Sequence, residues 1–215
     1  MDGGIQHRAE SHHLGASVSR VLRDDEMTTE TRATYADLLA VPDTQVAELI
    51  DGELFVTPRP AIRHARSSSR LGGLLASFDR EVGGNAPGGW IILDEPELHF
   101  GAEPKVLIPD LAGWRRERWP PDADPMYMTV APDWVCEVVS PSTERWDRSR
   151  KMQVYLTEGV RWLWFVNPIL ETLEAYRRQG TPAAWMTIGV WSGQDAGAIE
   201  PFDALPIELT RLWTL

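Results

Sequence analysis

The sequence has a single cysteine, Cys136, among its 215 residues, which excludes a disulfide within the chain. Free cysteine fits a reducing compartment, so we expect a cytoplasmic protein. Cys136 lies in an apolar stretch without a nearby histidine to activate it, so we interpret it as a small buried hydrophobic residue. No run reaches the roughly 18 apolar residues of a membrane span, and residues 1–23 lack the apolar segment of a signal peptide. We therefore expect no membrane partner.

Positive charge is also scarce: 21 Lys and Arg residues face 32 Asp and Glu residues, for a net charge of −11. This balance argues against a protein that coats nucleic acid, which is usually basic. Local groups of arginines could still bind phosphates. One group lies within residues 59–70, and the other lies within residues 145–151. Each group is either a phosphate-binding surface or the solvated face of a helix. The first group, which we predict to bind nucleic acid, consists of Arg59, Arg63, Arg66 and Arg70, and the second of Arg145, Arg148, Arg150 and Lys151.

Residues 1–30 are rich in Gly, Ser, His and Arg and show no sustained period, so we predict a disordered leader. We predict that residues 31–215 form a single domain, because 43% of the sequence is hydrophobic and the chain is long enough for one sizeable core. The ten tryptophans indicate heavy aromatic packing.

Apolar periodicity and turn signals predict an α/β domain in which helices flank a mixed sheet. Asp51-Gly52 marks a hairpin within residues 46–57. Helices are predicted over residues 31–39, 61–82 and 143–158. The other strands are predicted over residues 90–93, 97–100, 133–139, 161–167, 171–178 and 184–190, with a further one within residues 106–114 that ends near Asp110.

Two acids stand in apolar surroundings, Asp110 at the end of one predicted strand and Glu137 inside another. A buried carboxylate is costly unless it is paired, so Glu137 requires either a salt bridge or a metal ion. By strand alternation Glu137 shares a face with Val135 and Val139. If the two acids meet, they can hold a divalent cation that activates a water molecule beside a phosphodiester. Hard oxygen ligands favour Mg²⁺ or Mn²⁺.

The helix that follows places Asp147, Lys151 and Tyr155 on one face, at i, i+4 and i+8. One interpretation is an ordinary Asp–Lys helix pair. In the other, Lys151 points toward the two carboxylates and stabilises charge in a transition state. Glu48 and Glu53, which flank the hairpin turn, are candidates for a third carboxylate of the metal site; the alternative is that they are ordinary surface acids. His64, which opens the long helix, could contact phosphate or act as a base; the alternative is a histidine that only lies at the helix end.

The ordered combination of these motifs over residues 47–176 resembles the Uma-two family, whose members are described as restriction-endonuclease-like. The matching segments are Glu48–Glu53, His64, Pro109-Asp110, Glu137–Thr143, Asp147, Lys151, Tyr155 and Gly159-Val160.

This resemblance implies the PD-(D/E)XK nuclease fold and Mg²⁺-dependent hydrolysis of phosphodiesters. It implies that Asp110 and Glu137 are the two motif acids and metal ligands. The usual lysine two residues after the second acid is replaced by Val139, and the family offers Lys151 from the next helix instead. The catalytic set implied is therefore Asp110, Glu137 and Lys151.

Three hypotheses follow. The first is an Mg²⁺- or Mn²⁺-dependent endonuclease that acts on DNA. We expect it to be a homodimer, because nuclease-fold enzymes that cut both DNA strands are commonly dimers. The second is an inactive module with a nuclease fold that binds nucleic acid or a protein. The third is an oligomerisation domain whose tryptophan-rich C-terminal strands cover a partner, although core packing explains these tryptophans equally well.

Overall fold

The computed structural model describes residues 1, 32–83, 87–101, 105–121 and 126–214. Residues Arg32–Leu215 form one compact unit. The predicted leader, apart from Met1, lies outside the described residues.

Five α-helices and twelve strands are described. The helices are α1 (Tyr35–Leu39), α2 (Ile62–Leu75), α3 (Glu144–Trp146), α4 (Met152–Thr157) and α5 (Thr210–Trp213). The first seven strands are β1 (Gln45–Ile50), β2 (Glu53–Pro58), β3 (Trp90–Asp94), β4 (Leu98–Phe100), β5 (Lys105–Leu107), β6 (Leu111–Arg115) and β7 (Trp134–Val138). The last five are β8 (Trp162–Asn167), β9 (Thr172–Gln179), β10 (Ala184–Ser192), β11 (Ala196–Gly197) and β12 (Ile207–Glu208).

The strands form two larger sheets and a two-stranded one. The six-stranded sheet has the order β10-β9-β8-β7-β6-β3, and the four-stranded sheet has the order β2-β1-β5-β4. Strands β7 and β8 are parallel, whereas the other pairs in the six-stranded sheet are antiparallel. The prediction of a mixed sheet flanked by helices is confirmed.

Alternation along β7 divides the core between the two faces of the six-stranded sheet. Trp134, Cys136 and Val138 belong to the apolar cluster that includes side chains of α2 and α5. Val135 belongs to the cluster on the opposite face, which includes side chains of α4 and of the four-stranded sheet. Cys136 is fully buried, as expected for a small hydrophobic residue. Glu137 therefore points into the layer between the six-stranded sheet and α4.

Two predicted elements have different bounds. The helix predicted over residues 61–82 ends at Leu75, because Phe78 turns into the core and its carbonyl accepts from the N–H of Trp90 at 3.1 Å. The strand predicted within residues 106–114 and ending near Asp110 is β5, which ends earlier, at Leu107; a separate strand in the other large sheet, β6, begins at Leu111. Pro109 has no N–H to continue a ladder, so the chain changes sheets just before Asp110.

The helix predicted over residues 143–158 contains a wider turn that the sequence does not reveal. A π-helical segment, Asp147–Lys151, separates α3 from α4. Such π turns are rare and are frequent at functional sites. The same region is fixed to the sheet by Arg148, whose guanidinium donates to Glu144 and Glu174 and lies over the Phe165 ring.

None of the helices in the described ranges is long and apolar enough to cross a membrane.

The fully buried Phe202 joins the aromatic side chains of the larger apolar cluster. Its ring centroid lies 4.9 Å from those of Phe78, Trp90 and Trp134 and 5.6 Å from that of Trp164.

We predict that Phe202→Ala lowers the free energy of unfolding by about 3–5 kcal/mol, because it removes these contacts and leaves a cavity. Urea denaturation measures the change. The control Val190→Ala, at a side chain that is 60% exposed, is expected to change stability by about 0.5 kcal/mol or less. Equal losses in the two variants would contradict the assignment of Phe202 to the centre of the core.

Candidate active site

Side chains from both larger sheets and from two helical segments line one cavity of about 70 Å³. Six of the eight catalytic and additional residues predicted from the sequence lie here, namely Glu48, His64, Asp110, Glu137, Asp147 and Lys151. Tyr155 is fully buried and reaches this group through Glu137, whereas Glu53 is not in the lining. Residues far apart in the sequence are therefore brought together as predicted.

Asp110 lies at the point where the chain passes from the four-stranded to the six-stranded sheet. Its Oδ2 accepts a hydrogen bond of 2.7 Å from the backbone N–H of Val138, the residue after Glu137. This bond fixes the two acids relative to each other. Oδ1 of Asp110 lies 3.4 Å from Nε2 of His64. Burial lowers the pKa of His64, but the hydrogen bond and charge of Asp110 more than offset it and raise this pKa above its usual value.

Glu137 is buried, with a side chain only 3% exposed. Its Oε1 accepts a hydrogen bond of 2.5 Å from the hydroxyl of Tyr155 and lies 2.9 Å from Nζ of Lys151. Burial raises the pKa of Glu137 well above its ordinary value; Lys151 opposes this shift, and Asp147 and Asp110 add to it. The position of Glu137 is thus set by an ammonium and a phenol rather than by an arginine.

Lys151 is the centre of the cluster. Its Nζ lies 2.9 Å from Oε1 of Glu48, 2.9 Å from Oε1 of Glu137 and 3.5 Å from Oδ1 of Asp147. Burial lowers the pKa of Lys151, but Glu137 and Glu48 outweigh burial, so the pKa is raised well above the ordinary value and the amine stays charged. Asp147, the i−4 neighbour on the helix, is the most distant of the three partners. Lys151 is therefore not simply a member of an Asp–Lys helix pair.

The two glutamates of the first hairpin differ in their surroundings. Oε1 of Glu48 accepts a hydrogen bond of 2.8 Å from the N–H of Ile108 in addition to its contact with Lys151. Glu53 is 59% exposed and lies 3.9 Å from Arg150. Glu48 is therefore the glutamate that joins Asp110 and Glu137, and Glu53 lies outside the cluster.

The carboxylates of this cavity outnumber its ammonium and imidazole groups, which suits a divalent cation. Both contacts of Glu48 and both contacts of Glu137 engage Oε1, which leaves Oε2 of each side chain for another partner. Carboxylate oxygens are the ligands that Mg²⁺ and Mn²⁺ prefer. In the described ranges, no three His, Cys, Asp or Glu side chains are arranged to hold a metal ion by themselves. Mg²⁺ commonly binds through one or two carboxylates and keeps several waters, so Asp110 and Glu137 fit it.

The four arginines predicted to bind nucleic acid lie just before α2 or within it, and three of them contact backbone carbonyls. Arg59 donates to the carbonyl of Asp43, Arg63 to that of Pro168 and Arg66 to that of Thr214. The Nε of Arg70 is buried and has no hydrogen-bond partner in the described part of the chain. These contacts hold α2 in place and leave a role toward phosphate to be tested.

Sequence reasoning missed two contributors to the site. The N–H of Val138 positions Asp110, and backbone groups carry no signal in a sequence. Thr143 lines the cavity, and its hydroxyl lowers the pKa of Asp147, although burial has the larger effect and raises that pKa. Thr143 begins the predicted helix and closes the matched segment Glu137–Thr143, and neither signal assigned it a role in the site.

A mixed sheet that carries two acids and a lysine to one cavity defines a restriction-endonuclease-like fold. The chain belongs to the Uma2 family, whose model, described as "Putative restriction endonuclease", matches residues 32–212. The resemblance drawn from the ordered motifs is therefore confirmed.

Comparison with solved structures shows the same fold. The chain is similar to the crystal structure of "a putative nuclease belonging to DUF820" from Anabaena variabilis, with a TM-score of 0.66 and 22% sequence identity. The match covers 84% of this chain and 97% of that chain. No curated protein matches the sequence.

We predict that Lys151→Met lowers the free energy of unfolding by about 3–5 kcal/mol, because it leaves buried carboxylates without their counter-charge. Adding Glu137→Gln is expected to recover part of this loss. The control is Lys105→Met, which breaks a half-buried pair with Glu158 and should cost about 1 kcal/mol or less. Urea denaturation at neutral pH gives the three values, and equal losses for the two lysine variants would contradict a central role of Lys151.

Proposed function

We propose that this protein is a metal-dependent endonuclease that hydrolyses phosphodiester bonds of DNA. The observation that supports it best is the convergence of Asp110, Glu137 and Lys151 on one cavity, in a chain of the family described as "Putative restriction endonuclease". A homodimer and a cytoplasmic location stay predictions from the sequence.

Asp110 and Glu137 are the proposed ligands of Mg²⁺ or Mn²⁺, with Glu48 as a further acid. When bound, such a cation lowers the pKa of a coordinated water and neutralises charge on the phosphate oxygens. Tyr155 is proposed to position Glu137, because its hydroxyl donates to Oε1 of that side chain and leaves Oε2 for the cation.

Lys151 supplies the positive charge that belongs to the protein itself. Its ammonium is held within the cavity by Glu48 and Glu137, at a fixed place beside the proposed ligands. There it can orient the attacking water or stabilise negative charge that develops on the phosphate. His64 contacts the other carboxylate oxygen of Asp110 from the one that accepts from Val138, and it adds a second cationic group when it is protonated. Arg59, Arg63, Arg66 and Arg70 are proposed to guide the DNA backbone toward this side of the molecule.

Two observations favour a second candidate, an inactive module that binds nucleic acid or a protein through the same fold. Nζ of Lys151 is 2.9 Å from both Glu48 and Glu137, so the acids are already partly neutralised without a cation. Val139 also replaces the lysine that usually follows the second acid. Such a module would show no metal dependence.

We predict that the protein nicks plasmid DNA in Mg²⁺ or Mn²⁺ and that the Asp110→Ala, Glu137→Ala double variant loses activity by about a hundredfold or more, the scale of losing transition-state stabilisation. The matched control is Glu208→Gln, which removes an exposed carboxylate from β12 and should leave the rate unchanged. Equal rates for wild type and the double variant would overturn the assignment. Calorimetry separates the second candidate, because an active site should bind Mn²⁺ and lose it in Glu137→Gln.

A further inference from the structure

A second cavity, of about 400 Å³, opens beside the first one. Glu48, Thr57 and Thr143 line both cavities, so the two are adjacent. The other walls of the second cavity come mainly from α3, the π turn and β2. The side chains that determine its chemistry are Phe55, Arg145, Trp146, Ser149 and Arg150. None of these residues has a role in the proposed cleavage.

Two arginines, Arg145 and Arg150, line this cavity together with Glu48 and Glu53, in a chain whose net charge is −11. Arg145 is exposed and forms no ion pair in the described part of the chain. Arg150 lies 3.9 Å from Glu53, but both side chains are more than half exposed, so this pair is weak and easily exchanged. Both guanidinium groups are therefore available to a phosphate, which they can bind through paired hydrogen bonds.

The same cavity has an aromatic wall, because the rings of Phe55 and Trp146 stack on each other and both line it. Trp146 also packs against the apolar cluster under the site, which holds its ring in place. Aromatic rings beside arginines are the combination with which proteins bind single strands of nucleic acid. The hydroxyls of Ser142, Thr143 and Ser149 add polar groups to the lining.

We propose that the second cavity binds one unpaired nucleotide of a DNA strand, next to the phosphate that is cut. Its phosphate lies at Arg145 and Arg150, and its base lies against the aromatic wall formed by Phe55 and Trp146. A cavity of about 400 Å³ is within the size range of small-ligand sites, which suits a single nucleotide. This inference rests on the proposed function, because it extends the substrate from the cleavage site.

The nucleotide must be unpaired for a geometric reason. Within a duplex both faces of a base are covered by its stacked neighbours, whereas an unpaired base can offer a face to a side chain. The protein therefore prefers single strands, flaps or frayed ends to a continuous duplex. Arg145 lies in α3, and Arg150 lies in the π turn that also carries Asp147 and Lys151. Strand binding and the cleavage site are therefore held by one continuous helical stretch.

The test measures binding in EDTA, so that cleavage plays no part. Fluorescence anisotropy compares a labelled single-stranded DNA 12-mer, the same sequence as a blunt duplex, and the same sequence as RNA, each with the full-length protein. We expect the single DNA strand to bind at least about tenfold more tightly than the duplex. Tighter binding of the duplex or of the RNA would overturn the inference.

The variants locate that binding in the second cavity. The Arg145→Gln, Arg150→Gln double variant is expected to weaken single-strand binding by about tenfold or more, and to reduce the slope of log K against log salt by roughly 0.7 for each phosphate that the variant no longer neutralises. Trp146→Leu keeps apolar packing but removes the stacking face, and is expected to weaken binding by about fivefold to a hundredfold. The control Arg80→Gln removes an exposed arginine beyond the far end of α2 and should change neither quantity.

The outcomes separate this inference from the proposed function. If the double variant binds the single strand with the affinity and salt slope of the wild type, the second cavity is not the strand site. This holds even if the wild type cleaves the plasmid. Loss of binding in the double variant, with no cleavage by the wild type under any metal, would support the strand site and overturn the endonuclease. Circular dichroism of each variant confirms that it is folded before its affinity is interpreted.

Discussion

The buried ammonium of Lys151 is the contact on which the site depends. It joins Glu48 of the four-stranded sheet, Glu137 of the six-stranded sheet and Asp147 of its own helical segment. Without it, several carboxylates would lie in the interior without a counter-charge, which costs several kcal/mol for each ion. One lysine thus joins two sheets and a helical segment, and the cavity lies where these three elements meet.

Asp110 reaches this cavity because the chain changes sheets immediately before it. A continuous strand over residues 106–114 would have given Asp110 a place in a ladder, with its side chain set only by the alternation of that strand. The break instead lets its carboxylate accept the N–H of Val138 and face His64. The proline that interrupts the ladder is therefore part of how the site is built, as well as a feature of the fold.

Local patterns predicted much of this arrangement, and long-range contacts explain the rest. Strand alternation placed Glu137 on the face of Val135, and helix spacing placed Lys151 beside Asp147, because both depend only on residue spacing. The choice of Glu48 over Glu53 depends on the pairing of β1 with β5, which lies outside any local pattern. The π turn leaves no local pattern in the sequence, so the sequence predicted one regular helix instead. The end of α2 likewise follows from the insertion of Phe78 into the core.

The energetics of the cluster also argue for function. Several acids share one ammonium, burial raises the pKa of Glu137, and nearby acids raise it further, so the arrangement is more costly than a matched ion pair. When a buried ion network is replaced by apolar side chains of similar size, the stability of a protein often stays the same or increases. A structural role alone would thus be filled more cheaply by the leucines and valines that surround it. Costly, crowded acids that line an accessible cavity are typical of sites that act on a ligand. A divalent cation would supply the positive charge that Lys151 alone does not.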